Sequence, residues 1–137
     1  MSDYPKDVQK AYEMSKLIRE KAYAPYSKFK VGAAVKFKNL DKIYTGHNIE
    51  NVAFPSCVCA EVVALHSAIA DKGRSNLDFI VVTTDLKDPV APCGNCRQII
   101  SEHVAQDFMI YLANLKGIQK EITMKELLTH NNFHSFS

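Results

Sequence analysis

The sequence has no long apolar run and no apolar leader. No stretch approaches the about 20 apolar residues of a membrane-spanning helix, so we expect no membrane partner. Residues 1–20 are polar and charged, without the apolar core of a secretory signal peptide. We therefore expect a cytoplasmic location. Thiols stay reduced there, so the four cysteines are expected to be metal ligands or free thiols rather than disulfides.

Net charge is also nearly lacking. The formal net charge is +2 at pH 7 with a pI near 8.3, and the lysines are scattered rather than packed into one block. Domains that bind nucleic acid usually cluster Lys and Arg on one strongly basic face. The composition therefore argues against a nucleic-acid partner, although it does not detect a lysine stripe that forms only in three dimensions.

Internal repeats, low-complexity segments and Gly/Ser linkers are absent as well. The 137 residues fit one domain, and 47% hydrophobic with 23% charged residues is ordinary for a globular protein. We therefore expect a single domain over residues 1–137.

Hydrophobic periodicity predicts both helices and strands. Apolar residues near helical spacing predict an amphipathic helix over 4–22, with Leu17 on its apolar side and Asp3 as its cap. Residues 29–37 alternate between apolar and other side chains, with Lys36 on the polar face, which predicts a strand over the whole segment.

The predicted elements follow the order α-β-β-α-β-α-β-β-α. A run of β-branched residues at 79–84 predicts a central strand covered on both faces, and Thr123 with Glu126 has the form of a capping box. We predict an α/β fold with a single mixed β-sheet of about five strands sandwiched by helices. The segments are helix 4–22, strands 29–37 and 43–49, helix 59–70, strand 79–84, helix 93–103, strands 108–112 and 118–122, and a last helix from 123 to 128.

Three cysteines and a glutamate occur at the spacing of a catalytic zinc site. Glu61 lies two residues after Cys59, while Cys93 and Cys96 are three apart and share a helix face. Three thiolates can hold Zn²⁺ and leave a fourth position open for water, and Glu61 is placed to move protons to and from that water. Both cysteine motifs open a predicted helix, whose N-terminal partial positive charge lowers thiol pKa values.

Two other interpretations of these cysteines stay open. Cys57 could close a four-cysteine structural site, which would leave Glu61 without a role. The cysteines could also be unrelated core residues. We expect Cys57 to be an ordinary small buried residue.

At this point the chain resembles the small homotetrameric zinc-dependent cytidine deaminases, whose wider class includes sites with three cysteines. With matching length and element order, the resemblance extends from about residue 8 to residue 128. The blocks that carry it are Cys59-Ala60-Glu61 with Pro92-Cys93-Gly94-Asn95-Cys96-Arg97-Gln98, Ala24-Pro25-Tyr26-Ser27-Lys28-Phe29-Lys30-Val31-Gly32-Ala33-Ala34, and Asn48-Ile49-Glu50-Asn51.

The resemblance implies hydrolytic deamination of cytidine and deoxycytidine to uridine and deoxyuridine, with release of ammonia, in pyrimidine salvage. By resemblance, Cys59, Cys93 and Cys96 bind one zinc ion per subunit. Glu61 takes a proton from the zinc-bound water and passes it to ring N3 and the leaving amine. The family also implies a homotetramer with sites completed by neighbouring subunits.

The same resemblance assigns substrate contacts. Phe29 is carried over as a residue packing near the base, although a core aromatic on the strand would explain it equally. Asn48 and Glu50, two apart at a strand end and so on one face, are implied to bind the ribose hydroxyls. Ala60 is carried over as a further substrate contact.

Aromatic residues are implied at the subunit contacts. Phe54 stands where the family often has tyrosine and is expected at the substrate rim or subunit contact. Phe133 or Phe136 resembles the terminal aromatic that reaches a neighbour's site, although the residues after Leu128 depart from the family's usual proline-containing turn.

Val62 departs from the family, which typically has arginine directly after the catalytic glutamate. That arginine would offset the negative charge of three thiolates on Zn²⁺. Arg97 and the two helix N-termini are the candidates to compensate. Similar deaminases acting on blasticidin S also lack the arginine, so a modified or larger 4-aminopyrimidine nucleoside is the alternative substrate.

Two further classes compete with a nucleoside deaminase. Polynucleotide deaminases usually have histidine as the first ligand and basic surfaces, whereas this chain has Cys59 and little net charge. A structural zinc-binding module without catalysis is the non-enzyme alternative.

Overall fold

The helices and strands follow one another in the predicted order. The computed structural model describes residues 3–89 and 91–129, and no helix in those ranges has the length and apolarity that a bilayer crossing needs. A short 3₁₀ helix, Phe54–Ser56, lies between the second strand and the second α-helix. The elements are α1 Lys6–Arg19, β1 Gly32–Phe37, β2 Ile43–His47, α2 Ala60–Lys72, β3 Leu77–Thr83, α3 Gly94–His103, β4 Met109–Asn114, β5 Gly117–Thr123 and α4 Met124–Thr129.

In the described part of the chain the strands form one five-stranded sheet, in the order β2-β1-β3-β4-β5. β1 pairs antiparallel with β2 and β3, β3 pairs parallel with β4, and β4 pairs antiparallel with β5. The predicted mixed sheet is therefore confirmed. Its central strand is β3, as the β-branched run predicted.

Helices cover both faces of the sheet. On one face, α1 packs Val8 and Ala11 against Ala34 of β1 and its neighbours on β3 and β4. On the other face, α2 packs Ala64 and Leu65 into a cluster that α3 and α4 extend. The predicted sandwich is thus confirmed, and it explains why every residue of β1 is buried.

Lys36 was predicted on a polar face, and this was wrong. Because α1 covers that face, Lys36 is buried. Its ammonium donates to the Phe37 carbonyl at 3.1 Å and lies 3.6 Å from Asp7 and 3.9 Å from Asp78. Two carboxylates and a carbonyl therefore replace the water that an exposed lysine would have.

The buried face of α1 also differs from the prediction. Leu17 is 74% exposed, whereas Ser15 and Arg19 are buried. The Ser15 hydroxyl donates to the Tyr12 carbonyl at 2.8 Å and shares a hydrogen bond with the Thr83 hydroxyl at 2.6 Å. Hydrogen bonds to nearby Tyr12 and to Thr83 on β3, which hydrophobic periodicity does not register, thus accompany the burial of this face.

The two predicted caps have different outcomes. Asp3 does not cap α1, whose cap residue is Pro5 and has no side-chain hydrogen bond. The capping box is confirmed, because the Glu126 amide donates to the Thr123 hydroxyl at 3.1 Å and the Thr123 amide donates to the Glu126 carboxylate at 3.3 Å.

A close approach at Gly46 sets the height of α2 above the sheet. A Cβ at Gly46 would lie 2.4 Å from the Ala64 nitrogen and 2.7 Å from the Ala60 oxygen, both backbone atoms of α2. Backbone cannot swing aside as a side chain can, so only glycine permits this contact between β2 and the first turns of α2.

We predict that Gly46→Ala lowers the free energy of unfolding by about 1–3 kcal/mol, the usual cost of overpacking. Urea titration followed by circular dichroism measures this change. Lys72→Ala, an exposed substitution on the same helix, is the control and should stay within about 0.5 kcal/mol. Equal stability of Gly46→Ala and the parent would contradict the close approach.

Candidate active site

Two helix N-termini bring three cysteine sulfurs together. Cys59 caps α2 and Cys93 caps α3, both with extended backbone, and Cys96 lies in the first turns of α3. The three Sγ atoms all lie within 4.8 Å of one another. Residues that the sequence spacing had grouped are therefore one cluster in space.

The donor set of this cluster fits zinc. Thiolate sulfur is a favoured Zn²⁺ donor, and three protein ligands are the pattern of catalytic rather than structural sites. Cys59 and Cys96 also sit where the partial positive charge of helix N-termini favours negative groups. The cluster can therefore take one metal cation and leave a coordination position for a non-protein ligand.

The thiols strongly affect one another's protonation. A hydrogen bond from Cys96 lowers the pKa of Cys59 to about 7, although burial and Glu61 oppose the shift. The same hydrogen bond, together with burial, raises the pKa of Cys96. One thiolate thus forms readily near neutral pH, and a metal cation would replace the protons of the other thiols.

Cys57 lies apart from the cluster. Its sulfur accepts from the Asn51 amide at 3.3 Å and contacts the Asn51 carbonyl at 3.6 Å. It is partly exposed and lines the cavity described below, so the expectation of a buried residue was wrong. The metal-ligand cluster found among the described residues contains Cys59, Cys93 and Cys96 without it, which gives no support to a closed four-cysteine site.

Glu61 is a buried carboxyl in the first turn of α2. Only 6% of the residue is exposed, and burial raises its pKa above the ordinary value. Because Cys59 has extended backbone rather than helical backbone, both side chains reach the same cavity despite their spacing of two. A carboxyl with a raised pKa is suited to accept and return a proton near neutral pH.

A cavity of about 540 Å³ opens beside the cysteines. Glu61, Cys59, Cys93 and Cys96 all line it, so the acid/base candidate and the metal-ligand candidates face one space. The rest of the lining is mainly apolar, consisting of Phe29, Val31, Ile49, Phe54, Val58, Val82, Ala91 and Pro92, with the polar residues Asn48, Glu50 and Thr84 and the rim residue Cys57. A chamber of this size, with few polar groups, is typical of small-molecule sites.

Asn48 lines the cavity, and its side-chain amide also holds backbone. Its oxygen accepts from the Val31 amide at 2.8 Å and its nitrogen donates to the Phe29 carbonyl at 2.8 Å. The strand predicted over 29–37 begins only at Gly32. Before it, Phe29 and Val31 are held by the Asn48 side chain and by one backbone hydrogen bond, from the Asn48 amide to the Val31 carbonyl at 3.2 Å. One amide hydrogen of Asn48 remains for a ligand.

Glu50 is likewise bonded to its own chain. One carboxylate oxygen accepts from the Tyr26 and Ser27 amides at 3.0 and 3.1 Å, and the other accepts from the Ser27 hydroxyl. These bonds, the Ser27 hydroxyl first, lower the pKa of Glu50. The side chain is therefore an anion near neutral pH that still has accepting capacity for a ligand hydroxyl.

The remaining predicted residues have varied positions. Ala60 is fully buried and is not among the residues that line the cavity. Phe54 lies at the cavity rim and is 84% exposed.

The Arg97 side chain donates to the Pro92 carbonyl at 2.7 Å and so holds the residue directly before Cys93. Phe133 and Phe136 lie outside the described residues.

Thr84 lines the cavity and was not predicted as a site residue. It directly follows β3 and is buried, and its hydroxyl accepts from the Leu86 amide at 3.2 Å. Its position was a usable signal, because sites in α/β folds lie beyond the carboxyl ends of parallel strands.

Comparisons with known proteins agree with this geometry. The family model for the cytidine and deoxycytidylate deaminase zinc-binding region matches residues 5–112. A cytidine deaminase of Sporosarcina psychrophila is 46% identical over 122 residues, which is 89% of this chain and 88% of that protein. One of Halalkalibacterium halodurans is 46% identical over 110 residues, 80% of this chain and 82% of that protein.

A solved structure extends the agreement to three dimensions. The crystal structure of cytidine deaminase from Burkholderia pseudomallei superposes with a TM-score of 0.81 at 39% identity, covering 87% of this chain and 94% of that chain. The family model, the relatives and the shared fold confirm the resemblance noted in the sequence, and the chain belongs to the zinc-binding family of cytidine and deoxycytidylate deaminases.

Proposed function

We propose that this protein is a zinc-dependent cytidine deaminase, which hydrolyses cytidine and deoxycytidine to uridine and deoxyuridine with release of ammonia in pyrimidine salvage. One observation carries the proposal: three clustered thiols and a buried carboxyl line one cavity of small-molecule size. Relatives that are cytidine deaminases support the substrate class. A reducing compartment such as the cytoplasm keeps such thiols free to bind metal.

Cys59, Cys93 and Cys96 would hold one zinc ion per subunit. When bound, zinc supplies a Lewis acid that lowers the pKa of the water it holds towards neutrality. The chain contributes the three sulfur donors and their position at two helix N-termini, which partly balance the negative charge of the thiolates.

Glu61 would move the protons. In the net reaction the oxygen of water bonds to C4 of the pyrimidine, the bond from C4 to the amino nitrogen breaks, and the nitrogen leaves as ammonia. Glu61 would carry the first proton of the attacking water to ring N3, and would then carry the second, from the new hydroxyl on C4, to the amino nitrogen that leaves as ammonia. Burial favours this role, because it raises the pKa of Glu61 and excludes competing solvent.

The cavity walls would hold the nucleoside. Phe29 offers an apolar surface for the base, while the free amide hydrogen of Asn48 and the carboxylate of Glu50 suit sugar hydroxyls. Ala60 stays a predicted contact. Since its side chain is buried away from the cavity, its backbone amide in the first turn of α2 is the group suited to a ligand.

Val62 favours one second candidate, a deaminase of a larger 4-aminopyrimidine nucleoside such as blasticidin S. This residue directly follows Glu61 and is neutral, so it offers no cation to the thiolates. We rank this candidate below cytidine, because Asn48 and Glu50 suit a plain ribose or deoxyribose. A structural zinc module is ranked lowest, because it gives neither Glu61 nor the cavity a role.

Purified protein is expected to deaminate cytidine and deoxycytidine with higher kcat/KM than blasticidin S. Ultraviolet absorbance and ammonia release measure turnover.

Glu61→Gln is expected to keep zinc, assayed by mass spectrometry of the metal, while kcat falls by about 10²–10⁴-fold, the range for a lost general acid/base. Retained activity in Glu61→Gln would remove Glu61 from the mechanism, and preference for blasticidin S would select the second candidate.

Cys59→Ser is expected to lose most of the bound zinc, because a neutral hydroxyl replaces one thiolate donor. Cys57→Ser is the matched control and should keep close to one zinc per subunit. Metal analysis after gel filtration gives both values. Equal zinc loss in the two variants would mean that the site is closed by four cysteines.

We further propose a homotetramer in which neighbouring subunits complete each site. Val52 and Phe54 are 83% and 84% exposed, and Ile49 and Val58 beside them are partly exposed. Three of these four residues also line the cavity. Exposed apolar surface of this kind marks interaction sites, so a second copy would cover the rim.

Sedimentation is expected to find a particle of about four 15.4 kDa chains. Phe54→Glu should shift it towards smaller species, because a charge would be buried in the contact. Leu17→Glu, at a similarly exposed apolar residue of α1, is the control and should leave the mass unchanged. A parent protein that sediments as a single chain would contradict the tetramer.

A further inference from the structure

The wall of the cavity formed by residues 29–31 is held mainly by side chains, with one backbone hydrogen bond from the Asn48 amide to the Val31 carbonyl at 3.2 Å. The Phe29 amide donates to the Ser27 hydroxyl at 3.0 Å, and Asn48 holds the Phe29 carbonyl and the Val31 amide. Lys28, directly before the wall, has left-handed backbone with φ 62°. Left-handed backbone is uncommon for residues other than glycine. The hydrogen bonds around Lys28 therefore have to keep the chain in this conformation, and the position of the wall depends on them.

Arg19 holds the one residue of this wall that Asn48 does not. Its Nε donates to the Lys30 carbonyl at 3.0 Å, and Lys30 lies between the two cavity residues Phe29 and Val31. The Arg19 side chain is only 9% exposed, which is unusual for a cation. It does not line the cavity and so acts from behind the wall.

The two other nitrogens of the same guanidinium, Nη1 and Nη2, contact two carboxylates. Nη2 lies 3.5 Å from Asp85, and Nη1 donates to Glu20 at 3.2 Å. Asp85 directly follows Thr84, which lines the cavity from the end of β3. The planar, rigid guanidinium of Arg19 therefore connects the wall at residues 29–31 with the wall at Thr84, although the two are far apart in sequence.

Gly32 places Arg19 at this junction. A Cβ at Gly32 would lie 2.0 Å from the Ser15 carbonyl oxygen and 2.9 Å from the Arg19 Cβ. The missing side chain lets the last turn of α1 press against the first residue of β1, directly after the wall. The position of Arg19 is therefore set by backbone packing and not by a flexible surface contact.

We propose that Arg19 is a positioning residue for the substrate cavity, which holds the Phe29–Val31 wall at a set distance from the Thr84–Asp85 wall. The inference rests on the proposed function, since the cavity is taken as the nucleoside site. Arg19 touches no substrate in this role. It acts through the Lys30 carbonyl and the Asp85 carboxylate, and loss of the guanidinium would let the Phe29–Val31 wall move.

A simpler role for Arg19 is favourable charge at the C-terminus of α1. That role requires only a cation in the last turn, and the partly buried Lys16 already provides one. It explains neither the burial nor the bond to Lys30. The two roles differ in their consequences, because a helix-end charge affects stability alone, whereas a positioning residue affects substrate binding.

The test compares Arg19→Gln and Arg19→Lys with the control Lys21→Gln, an exposed cation two residues further along. With cytidine, Arg19→Gln is expected to raise KM about tenfold with a smaller change in kcat, because a wall displaced by a fraction of an ångström weakens binding geometry. Arg19→Lys, which keeps the charge but not the guanidinium, should fall between the parent and Arg19→Gln. Zinc content should not change.

Hydrogen exchange gives a readout that needs no activity. Peptides covering residues 26–32 should exchange roughly tenfold faster in Arg19→Gln, while peptides of β3 keep the parent rate. A uniform rise across both regions, or parental KM and parental exchange in Arg19→Gln, would overturn the proposal. If Arg19→Gln does not fold, Arg19→Lys is judged by the same two criteria. A parent protein inactive on cytidine would instead overturn the proposed function, and the exchange measurement would still judge the wall.

Discussion

The convergence of two helix N-termini on one edge of the sheet is the constraint on which the site depends. Cys59 and Cys93 are both cap residues, so each thiol leaves its helix where backbone amides are free and partial charge is positive. The same cap geometry lets Glu61 reach the cavity from the first turn of α2. A shift of either helix would separate donors that need to share one ion, which is why the glycine contact beneath α2 bears on chemistry as well as on stability.

Burial gives the site its electrostatic character. Glu61 and Cys96 are removed from water. Burial raises the pKa of Glu61, and the hydrogen bond with Cys59, together with burial, raises the pKa of Cys96. A cation at the cysteines is therefore favoured twice, since it neutralises thiolates that solvent does not stabilise and acts strongly in a medium of low dielectric. Val62 adds no charge to this balance, and Arg97 holds the Pro92 carbonyl. The two helix N-termini and the Arg97 cation therefore stay the candidates for balancing the thiolates.

Sequence reasoning was successful where the signal is local or carried by side-chain chemistry. The element order, the central strand, the capping box and the cysteine cluster were all predicted, because each follows from spacing within a short segment or from the resemblance. Leu17, Lys36 and the start of β1 were predicted wrongly. Their environments depend on which element covers a face and on hydrogen bonds across the fold, such as the bond between Asn48 and Val31, seventeen residues apart. Periodicity contains no such information.

The double use of Asn48 and Glu50 changes how substitutions at these residues should be interpreted. Each residue faces the cavity, and each also holds backbone that forms the cavity: Asn48 holds Phe29 and Val31, and Glu50 holds the Tyr26–Ser27 turn. Removing either side chain would therefore delete a proposed ligand contact and release a wall together, and the two losses would not be additive. Arg19 separates them, because it holds the same wall without facing the ligand. A comparison of the three positions thus separates what the wall contributes from what the proposed sugar contacts contribute.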